Sequence, residues 1–355
     1  MPKNRVSSML FCAGVLPILG SPALASDRWR FEGTPRVLAQ DLKFTNGDVH
    51  LAGTVYLPEN GDHLASLVAL HGASDATRAA ALYRHLREGL PAMGVAVLIY
   101  DRRGSGASSG TPTGIDYETL ADDAIAGKNA LAKLPRIDPK RIGFWGLSQG
   151  GWLAVLAASR DKTAALAISV SAPLVTPEKQ MEFATANLLT VRGYSRGDIE
   201  RMLAARKTWI AYLRRKASRA AAVDALRDAE AQPWFDLGFL PRASNLTMDP
   251  EHSSSRKETD YDPIPAIRSV KVPMLFIYGG ADPWVPVEQS VKQLENISKQ
   301  QPNIRYAVIA DANHEMMFQA NEKMEFGPKA LSETAPHAPA YFMLLGSWLG
   351  RRVGN

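Results

Sequence analysis

The stretch RIGFWGLSQGGWLAVLAAS, residues 141–159, places a serine among glycines, between two segments of different character. The first segment, RIGFWG, is short and apolar, which is typical of a strand buried on both faces. After Gly151, apolar residues return at the spacing of a buried helix. Ser148 therefore lies in a strand–turn–helix connection. This pattern predicts a tight turn that lifts the serine hydroxyl clear of a sheet, where it can act as a nucleophile.

Small residues flank this serine two positions away on either side. Gly146 and Gly150 are predicted to let the strand and the helix approach each other closely. The main-chain N–H of Gln149, at the start of the helix, is predicted to face a developing negative charge. Because the pattern G-x-S-x-G also arises by chance, its interpretation as a nucleophile depends on finding a base and an acid elsewhere in the chain.

Strand and helix patterns alternate along the rest of the sequence. Two alternating runs around the turn signal TNGD predict an antiparallel hairpin within residues 36–57. The alternation that follows predicts an α/β fold with a mostly parallel sheet and helices on both faces. In such a sheet, functional residues gather beyond the carboxyl ends of the strands. The further predicted strands cover residues 66–72, 94–104, 141–146, 165–173, 272–282 and 304–314.

The alternation is interrupted at residues 174–265, which are rich in Ala, Arg and Lys. We predict that this segment is a helical cap inserted into a core formed by residues 26–173 and 266–355. Within it, the pattern predicts a helical stretch from Asp198 to Glu230 with Trp209, Tyr212 and Leu213 on one face. Residues 245–263 are predicted to be a loop from their composition.

The first 25 residues resemble a secretory signal peptide. Lys3 and Arg5 precede a short apolar run that ends in an A-x-A site at Ala23 and Ala25. The run is too short to span a bilayer, so we predict cleavage after Ala25, no stable membrane insertion afterwards, and a periplasmic or secreted protein. Because Cys12 is the only cysteine in the chain, the mature protein would contain no disulfide, no thiolate metal site and no cysteine nucleophile.

The composition favours a soluble protein and gives no sign of a nucleic-acid binder. The chain has 355 residues, is 46% hydrophobic and carries a net charge of +5, which becomes +3 without the signal segment. This mild excess gives little support to nucleic-acid binding. The sequence does not predict an oligomeric state.

An acid and a base follow two later strands. Asp282 comes directly after one buried strand and His314 directly after the next, so Ser148, Asp282 and His314 all lie at strand ends. A serine hydroxyl needs a base at neutral pH, and a carboxylate holds the imidazole in the required tautomer. Taken singly, Asp282 could be a turn former before a proline, and His314 a helix cap or a core histidine. Their joint placement favours a catalytic triad.

Other histidines compete for the role of base. His337 is the main rival, because it falls near the start of the closing helix, but no strand end presents it. His50 and His63 flank the hairpin, His85 is predicted on a surface helix, and His252 lies in a polar loop.

The segment LHGAS, residues 70–74, supplies the remaining part of the site. Gly72 is predicted to let the backbone approach the substrate, and the Ala73 N–H to pair with the Gln149 N–H around an oxyanion. His71 is predicted to hold this loop and to take no direct part in catalysis. The glycine-rich loop DRRGSGASSG, residues 101–110, has neither the Walker spacing nor the G-x-G-x-x-G fingerprint, so a turn beside the site is favoured over a phosphate cradle.

In this order the motifs HGAS, DRRGSGASSG, GLSQGGW, GGADPWVP and DANHEM resemble those of the α/β-hydrolase superfamily. They are most similar to those of secreted bacterial esterases, acyl-thioesterases and serine-aminopeptidase-like enzymes. The resemblance covers about residues 45–350 and implies a Ser148–His314–Asp282 triad, an oxyanion hole from Ala73 and Gln149, no cofactor and no metal. The cap matches no pattern of these groups.

The sequence thus predicts a serine hydrolase that cleaves carboxylic esters, or other small acyl substrates, through a covalent acyl-enzyme. Thioester and peptide hydrolysis on the same triad remain alternatives. An aminopeptidase would need an anionic pocket, for which Glu178 and Glu182 are candidates, although a solvated helix face is the simpler interpretation of this pair. A binding module without catalysis is the least favoured alternative, because it would not need the three triad residues together.

Overall fold

The computed structural model describes residues 36–73, 76–112, 114–318 and 336–353. The predicted signal segment, with Cys12 and the A-x-A site, lies outside the described residues. The centre of the fold is an eight-stranded sheet. In chain order its strands are β1 Val37–Asn46, β2 Val49–Pro58, β3 Leu64–Leu70, β4 Val95–Tyr100, β5 Ile137–Leu147, β6 Ala167–Val170, β7 Met274–Gly279 and β8 Ile304–Ile309. Across the sheet they lie in the order β1-β2-β4-β3-β5-β6-β7-β8.

The sheet is mostly parallel, as predicted. Strands β3 to β8 all pair in parallel, whereas β1 pairs antiparallel with β2, and β2 antiparallel with β4. The β1–β2 hairpin turns at Gly47, whose φ of +58° suits a residue without a Cβ. Every residue of β3, β4 and β7 is buried, which explains their continuous apolar sequences. The carboxyl ends of β3 to β8 therefore share one edge of the sheet.

Helices cover both faces of the sheet. One apolar core lies under the helices at residues 117–131, 149–160, 264–269 and 287–298, and the other lies under the helices at residues 84–92 and 339–353. Successive residues of β3 alternate between the two cores, with Val68 in the first and Leu67 in the second. The α/β class predicted from the sequence is confirmed. The helices are α1 Arg84–Ala92, α2 Tyr117–Leu131, α3 Gln149–Arg160, α4 Pro177–Val191, α5 Arg196–Leu213, α6 Arg219–Glu230, α7 Ser254–Thr259, α8 Ile264–Ser269, α9 Val287–Ser298 and α10 Pro339–Val353.

The segment between β6 and β7 is helical and packs around a third apolar core, formed mainly by α5, α6 and the residues that follow them. The sequence predicted one helical stretch from Asp198 to Glu230, which is wrong: α5 ends at Leu213 and α6 begins at Arg219. Arg215 has a φ of +58°, which no α-helix accommodates. Ser218 then caps α6, because its side chain accepts a hydrogen bond from the Ala221 N–H.

Part of the predicted loop at 245–263 is also helical. Helix α7 lies inside it, and the Asp260 carboxylate directly after this helix binds both Arg256 and Arg214. The Arg256–Asp260 pair spans one helical turn and so stabilises this short helix. Within the described residues, none of the helices is both long enough and apolar enough to cross a membrane.

Candidate active site

Ser148 occupies the connection between β5 and α3, as the sequence predicted. Its φ of 56° and ψ of −121° lie in a region that residues with a side chain rarely adopt. Its N–H donates to the carbonyl of Val170 on the neighbouring strand, and its own carbonyl accepts from the Gly151 N–H. These bonds hold the strained conformation, in which the serine remains partly exposed at the strand-end edge of the sheet.

The glycines around Ser148 are required by close backbone contacts. A Cβ on Gly146 would lie 1.8 Å from the Gly150 carbonyl oxygen, and one on Gly150 would lie 2.2 Å from the Leu70 carbonyl oxygen. Both distances are far below a permitted contact, and the obstructing atoms are main-chain atoms that cannot turn aside. The close approach of strand and helix predicted for Gly146 and Gly150 is therefore present.

Asp282 and His314 lie together, after β7 and β8 respectively. The Asp282 Oδ2 is 2.8 Å from His314 Nδ1, and its Oδ1 accepts hydrogen bonds from the Trp284 and Val285 N–H groups. The Asp282 side chain is fully buried, and 13% of the His314 side chain is exposed. The carboxylate thus has a fixed orientation and can hold His314 with the proton on Nδ1, which leaves Nε2 as an acceptor.

The loop that carries His314 is shaped by Asn313, which sequence reasoning missed. The buried Asn313 side chain accepts hydrogen bonds from the main-chain N–H groups of Glu315 and Met317. Such local bonds are a usual property of asparagine in turns, so the only sequence signal was an Asn next to the candidate histidine.

The loop after β3 passes beside Ser148. A Cβ on Gly72 would lie 3.7 Å from the Ser148 Cβ. The Gly72 N–H donates to the Tyr83 hydroxyl, and His71 donates through Nε2 to the Tyr100 carbonyl. Burial lowers the pKa of His71 to about 4, so this imidazole is neutral near pH 7. The structure thus gives His71 a position that holds the loop, while Ala73 is exposed at its tip.

His337, the sequence-level rival for the base, lies elsewhere. Its ring packs on that of His85 at a centroid distance of 4.2 Å, and the His85 Nε2 lies 3.4 Å from the Tyr341 hydroxyl. Burial lowers the pKa of His337 to about 4 and that of His85 well below its ordinary value, with the second imidazole lowering the latter further. His85 lies on a helix with exposed residues such as Arg84 and Glu88, as predicted, but its own ring turns inward among aromatic side chains. His50 and His63 are exposed on the hairpin side of the sheet.

The glycine-rich loop 101–110 folds around the carboxylate of Asp101. This carboxylate accepts from the N–H groups of Arg78 and Ala107, and a Cβ on Gly106 would lie 2.5 Å from it. The loop therefore encloses an acidic group, which is the opposite of what a phosphate needs. In the part of the chain that the structure describes, no cluster of three or more His, Cys, Asp or Glu side chains is arranged to hold a metal ion.

The inserted helices reach the loop that carries Asp282. Asn187 of α4 donates from Nδ2 to the Pro283 carbonyl, at 3.2 Å. The Phe239 ring, half exposed and at a left-handed φ of +48°, packs edge-on against Trp284 with centroids 6.0 Å apart. An aromatic pair therefore lies two residues from the carboxylate, at the boundary between the insertion and the sheet.

Three comparisons with known proteins agree on the fold. A model of the Alpha/beta hydrolase family matches residues 67–325, more than half of the chain. An esterase of Pyrococcus furiosus superposes with a TM-score of 0.57 at 21% identity, covering 90% of this chain and 92% of that one. An acylaminoacyl peptidase of Pyrococcus horikoshii superposes with a TM-score of 0.56 at 15% identity, covering 92% and 43%. At such identities the likeness shows the fold alone.

Curated relatives match only part of their length. A polyketide transferase of Penicillium crustosum is 40% identical over 83 residues, 23% of this chain and 27% of its own. A thiohydrolase of Aspergillus aculeatus is 41% identical over 83 residues, or 23% and 26%. A quorum-quenching protein of Acinetobacter baumannii is 30% identical over 130 residues, or 36% and 42%. The match thus spans about a quarter of the length of the first two relatives.

Proposed function

Because the chain belongs to the alpha/beta hydrolase family, we propose that it is a serine hydrolase that cleaves carboxylic esters of small molecules through a covalent acyl-enzyme. The observation that carries this proposal is the hydrogen-bonded Asp282–His314 pair, at the same sheet edge as the strained Ser148. Close backbone contacts hold this partly exposed serine in a strained conformation, which is typical of a nucleophile.

The first half of the reaction forms the acyl-enzyme. Ser148 Oγ attacks the ester carbonyl while its proton passes to Nε2 of His314, and Asp282 stabilises the resulting imidazolium. The carbonyl electron pair moves to the oxygen, which becomes an oxyanion. The tetrahedral intermediate collapses when the bond to the leaving alcohol breaks, and His314 gives its proton to that alcohol. In the second half, His314 takes a proton from a water molecule, which attacks the acyl carbonyl in place of Ser148. The bond from the acyl group to Ser148 Oγ breaks, His314 returns the proton to Ser148, and the carboxylic acid product leaves.

Two main-chain N–H groups are proposed to bind the oxyanion. Gln149 is the first residue of α3, where N–H groups have no partner within the helix. In the loop after β3, the Gly72 N–H already donates to Tyr83, so the following N–H, of Ala73, is the proposed second donor. Each such donor is typically worth about 3 kcal/mol of transition-state stabilisation.

Hydrolysis of thioesters, or acyl transfer to another acceptor, is the second candidate. The names thiohydrolase and polyketide transferase among the partly matching relatives support it, and a thiolate leaving group needs the same nucleophile and oxyanion hole. The aminopeptidase alternative depends on Glu178 and Glu182 as the group that binds the substrate amine. Glu178 is largely buried and ion-paired with Arg214, so it is not the solvated residue that the sequence suggested, whereas Glu182 pairs with the exposed Lys179. The buried ion pair of Glu178 argues against the two carboxylates as a shared pocket for a substrate amine.

The test is turnover by the purified protein of a panel of nitrophenyl esters, an acyl thioester and an aminoacyl amide. We expect ester turnover that Ser148→Ala abolishes. Ser159→Ala is the matched control, because Ser159 lies near the other end of the same helix and its hydroxyl bonds only locally to the Leu156 carbonyl. Exclusive thioester turnover would favour the second candidate. Absence of turnover of all three substrate types would contradict both and favour a binding module.

A further inference from the structure

Arg102 forms hydrogen bonds with both ends of the loop after β3, which carries the proposed oxyanion donor Ala73. Its guanidinium Nη2 donates to the His71 carbonyl at 2.9 Å and to the Gly72 carbonyl at 2.8 Å. Its main-chain N–H donates to the Ala76 carbonyl, also at 2.9 Å. We propose that Arg102 is a positioning residue that aims the Ala73 N–H at the oxyanion. This inference rests on the proposed function.

The bond to Gly72 determines the direction of the Ala73 N–H. The Gly72 carbonyl and the Ala73 N–H belong to the same peptide unit, which is planar and trans. In such a unit the two groups point in opposite directions. A donor that holds the Gly72 oxygen on one side therefore turns the Ala73 N–H to the other side.

Without this bond the peptide could turn over. Gly72 has no Cβ, so its backbone torsions are less restricted than those of any other residue. A flipped peptide would present a carbonyl oxygen to the developing oxyanion, which would replace attraction by repulsion. The Tyr83 hydroxyl restrains the N–H on the other side of Gly72 but does not act on the 72–73 peptide. Arg102 supplies that restraint.

The identity of the side chain matters. The two N–H groups of Nη2 point in fixed directions within the rigid guanidinium plane, so this one nitrogen can bind two adjacent carbonyls in a set geometry. Lysine carries the same charge on a flexible stem and holds such a pair less well. Arg102→Lys therefore separates geometry from charge: a purely electrostatic role predicts wild-type activity for it, and a positioning role predicts a loss.

Arg136 offers a matched control. It binds the Pro58 and Gly61 carbonyls through Nη2 and Nε, at 2.9 and 2.8 Å, in the turn before β3. Here too one guanidinium holds two loop carbonyls, although through two nitrogens, and the turn lies at the opposite end of the strands from Ser148. Arg136→Met should cost local stability and leave turnover within about twofold of wild type.

The experiment measures kcat, KM and the inhibition constant of a trifluoromethyl ketone for wild type, Arg102→Met, Arg102→Lys and Arg136→Met. The ketone forms a tetrahedral adduct with the serine and so reports on the oxyanion hole. For Arg102→Met we expect kcat to fall about 10- to 100-fold, with KM changed less than threefold. The upper value is about the fall in kcat that follows removal of one oxyanion donor. The inhibition constant should rise in proportion to the loss in kcat/KM, and Arg102→Lys should fall between Arg102→Met and wild type.

A loss confined to KM, an unchanged inhibition constant, or a kcat of Arg102→Met within twofold of Arg136→Met would overturn the inference. If Arg102→Met does not fold, Arg102→Lys carries the test, and wild-type kcat and inhibition in that variant overturn it. A wild-type protein without acyl hydrolase activity would instead contradict the proposed function.

Discussion

His314 Nδ1 lies 2.8 Å from Asp282 Oδ2, although 32 residues of chain separate the two. The pairing of β7 with β8 brings them together, because the strands are parallel neighbours and both residues lie in the loops just beyond the strand ends at Gly279 and Ile309. The carboxylate is fully buried and held by two main-chain N–H groups, so it is presented to the imidazole in one orientation. This pair is the part of the site on which a serine mechanism depends most.

Replacing Asp282 by Asn tests that pair. Asparagine keeps the shape and can still accept hydrogen bonds from the Trp284 and Val285 N–H groups. Its NH₂ would favour the wrong tautomer of His314, so we expect kcat to fall by roughly 10⁴ with little change in melting temperature. The measurement is steady-state turnover of a nitrophenyl ester together with thermal unfolding. A kcat within tenfold of wild type would show that the pair is not catalytic.

Replacing a glycine beside Ser148 should lower the free energy of unfolding. Gly146→Ala would place a Cβ 1.8 Å from the Gly150 carbonyl oxygen, so we expect a loss above about 4 kcal/mol, or no folded protein. Gly350→Ala is the control, because this helical glycine has no atom within 4 Å of the position that a Cβ would occupy. It should be neutral or stabilising by up to about 1 kcal/mol. A folded, active Gly146→Ala protein would contradict the described turn.

Three buried histidines should make the free energy of unfolding fall at acid pH. The pKa values of His71 and His337 are lowered to about 4 by burial, and that of His85 is lowered as well. The unfolded chain takes up protons below about pH 6.5 while the folded protein does not, so stability is lost as the pH falls from about 6.5 to about 4. For His71 alone this amounts to about 3 kcal/mol.

A variant checks this account. His337→Phe keeps a ring against His85 and removes one group that the unfolded chain would protonate, so its free energy of unfolding should fall less between pH 6.5 and 4.5. Denaturant titrations at a series of pH values provide the measurement. Equal slopes for His337→Phe and wild type would exclude a contribution from the buried pair.

The sequence predicted those features that depend on local pattern. The glycine-flanked turn at Ser148 follows from residues within a few positions of each other. The strands before Asp282 and His314 follow from two largely apolar runs, of which β7 is buried whereas β8 lies at the edge of the sheet with about half of its residues exposed. The features it missed depend on distant partners. Arg102 binds two carbonyls that lie about 30 residues earlier in the sequence. His85 and His337, whose rings are in contact, lie in the first and last thirds of the chain.

The broken helix in the insertion was missed for a different reason. Alanine and arginine favour helix on both sides of the break, so propensity continues through it. The interruption at Arg215 and the new start at Ser218 depend on a left-handed residue and a side-chain cap. Serine is a favoured N-cap residue, but a single serine among residues that favour helix does not show from the sequence that one helix ends and another begins there.

Export is a separate proposal, which rests on residues 1–25 of the sequence. Cleavage at the A-x-A site should give a mature protein that begins at Ser26, and intact-mass measurement of the exported protein checks this. Ala23→Asp should block cleavage and leave a heavier, cell-associated form. An exported wild-type protein that retains its first 25 residues would show that the segment is an anchor.

The most direct test of the central claim, that Ser148 is the acylated nucleophile, is mass spectrometry after treatment with a fluorophosphonate. The account predicts a single added phosphonyl group, located on the peptide that contains Ser148, and no addition in Ser148→Ala. Asp282→Asn should be labelled at the same residue but far more slowly, because its histidine is a poor base. Labelling that persists in Ser148→Ala, or that maps to another residue in the wild-type protein, would contradict the account.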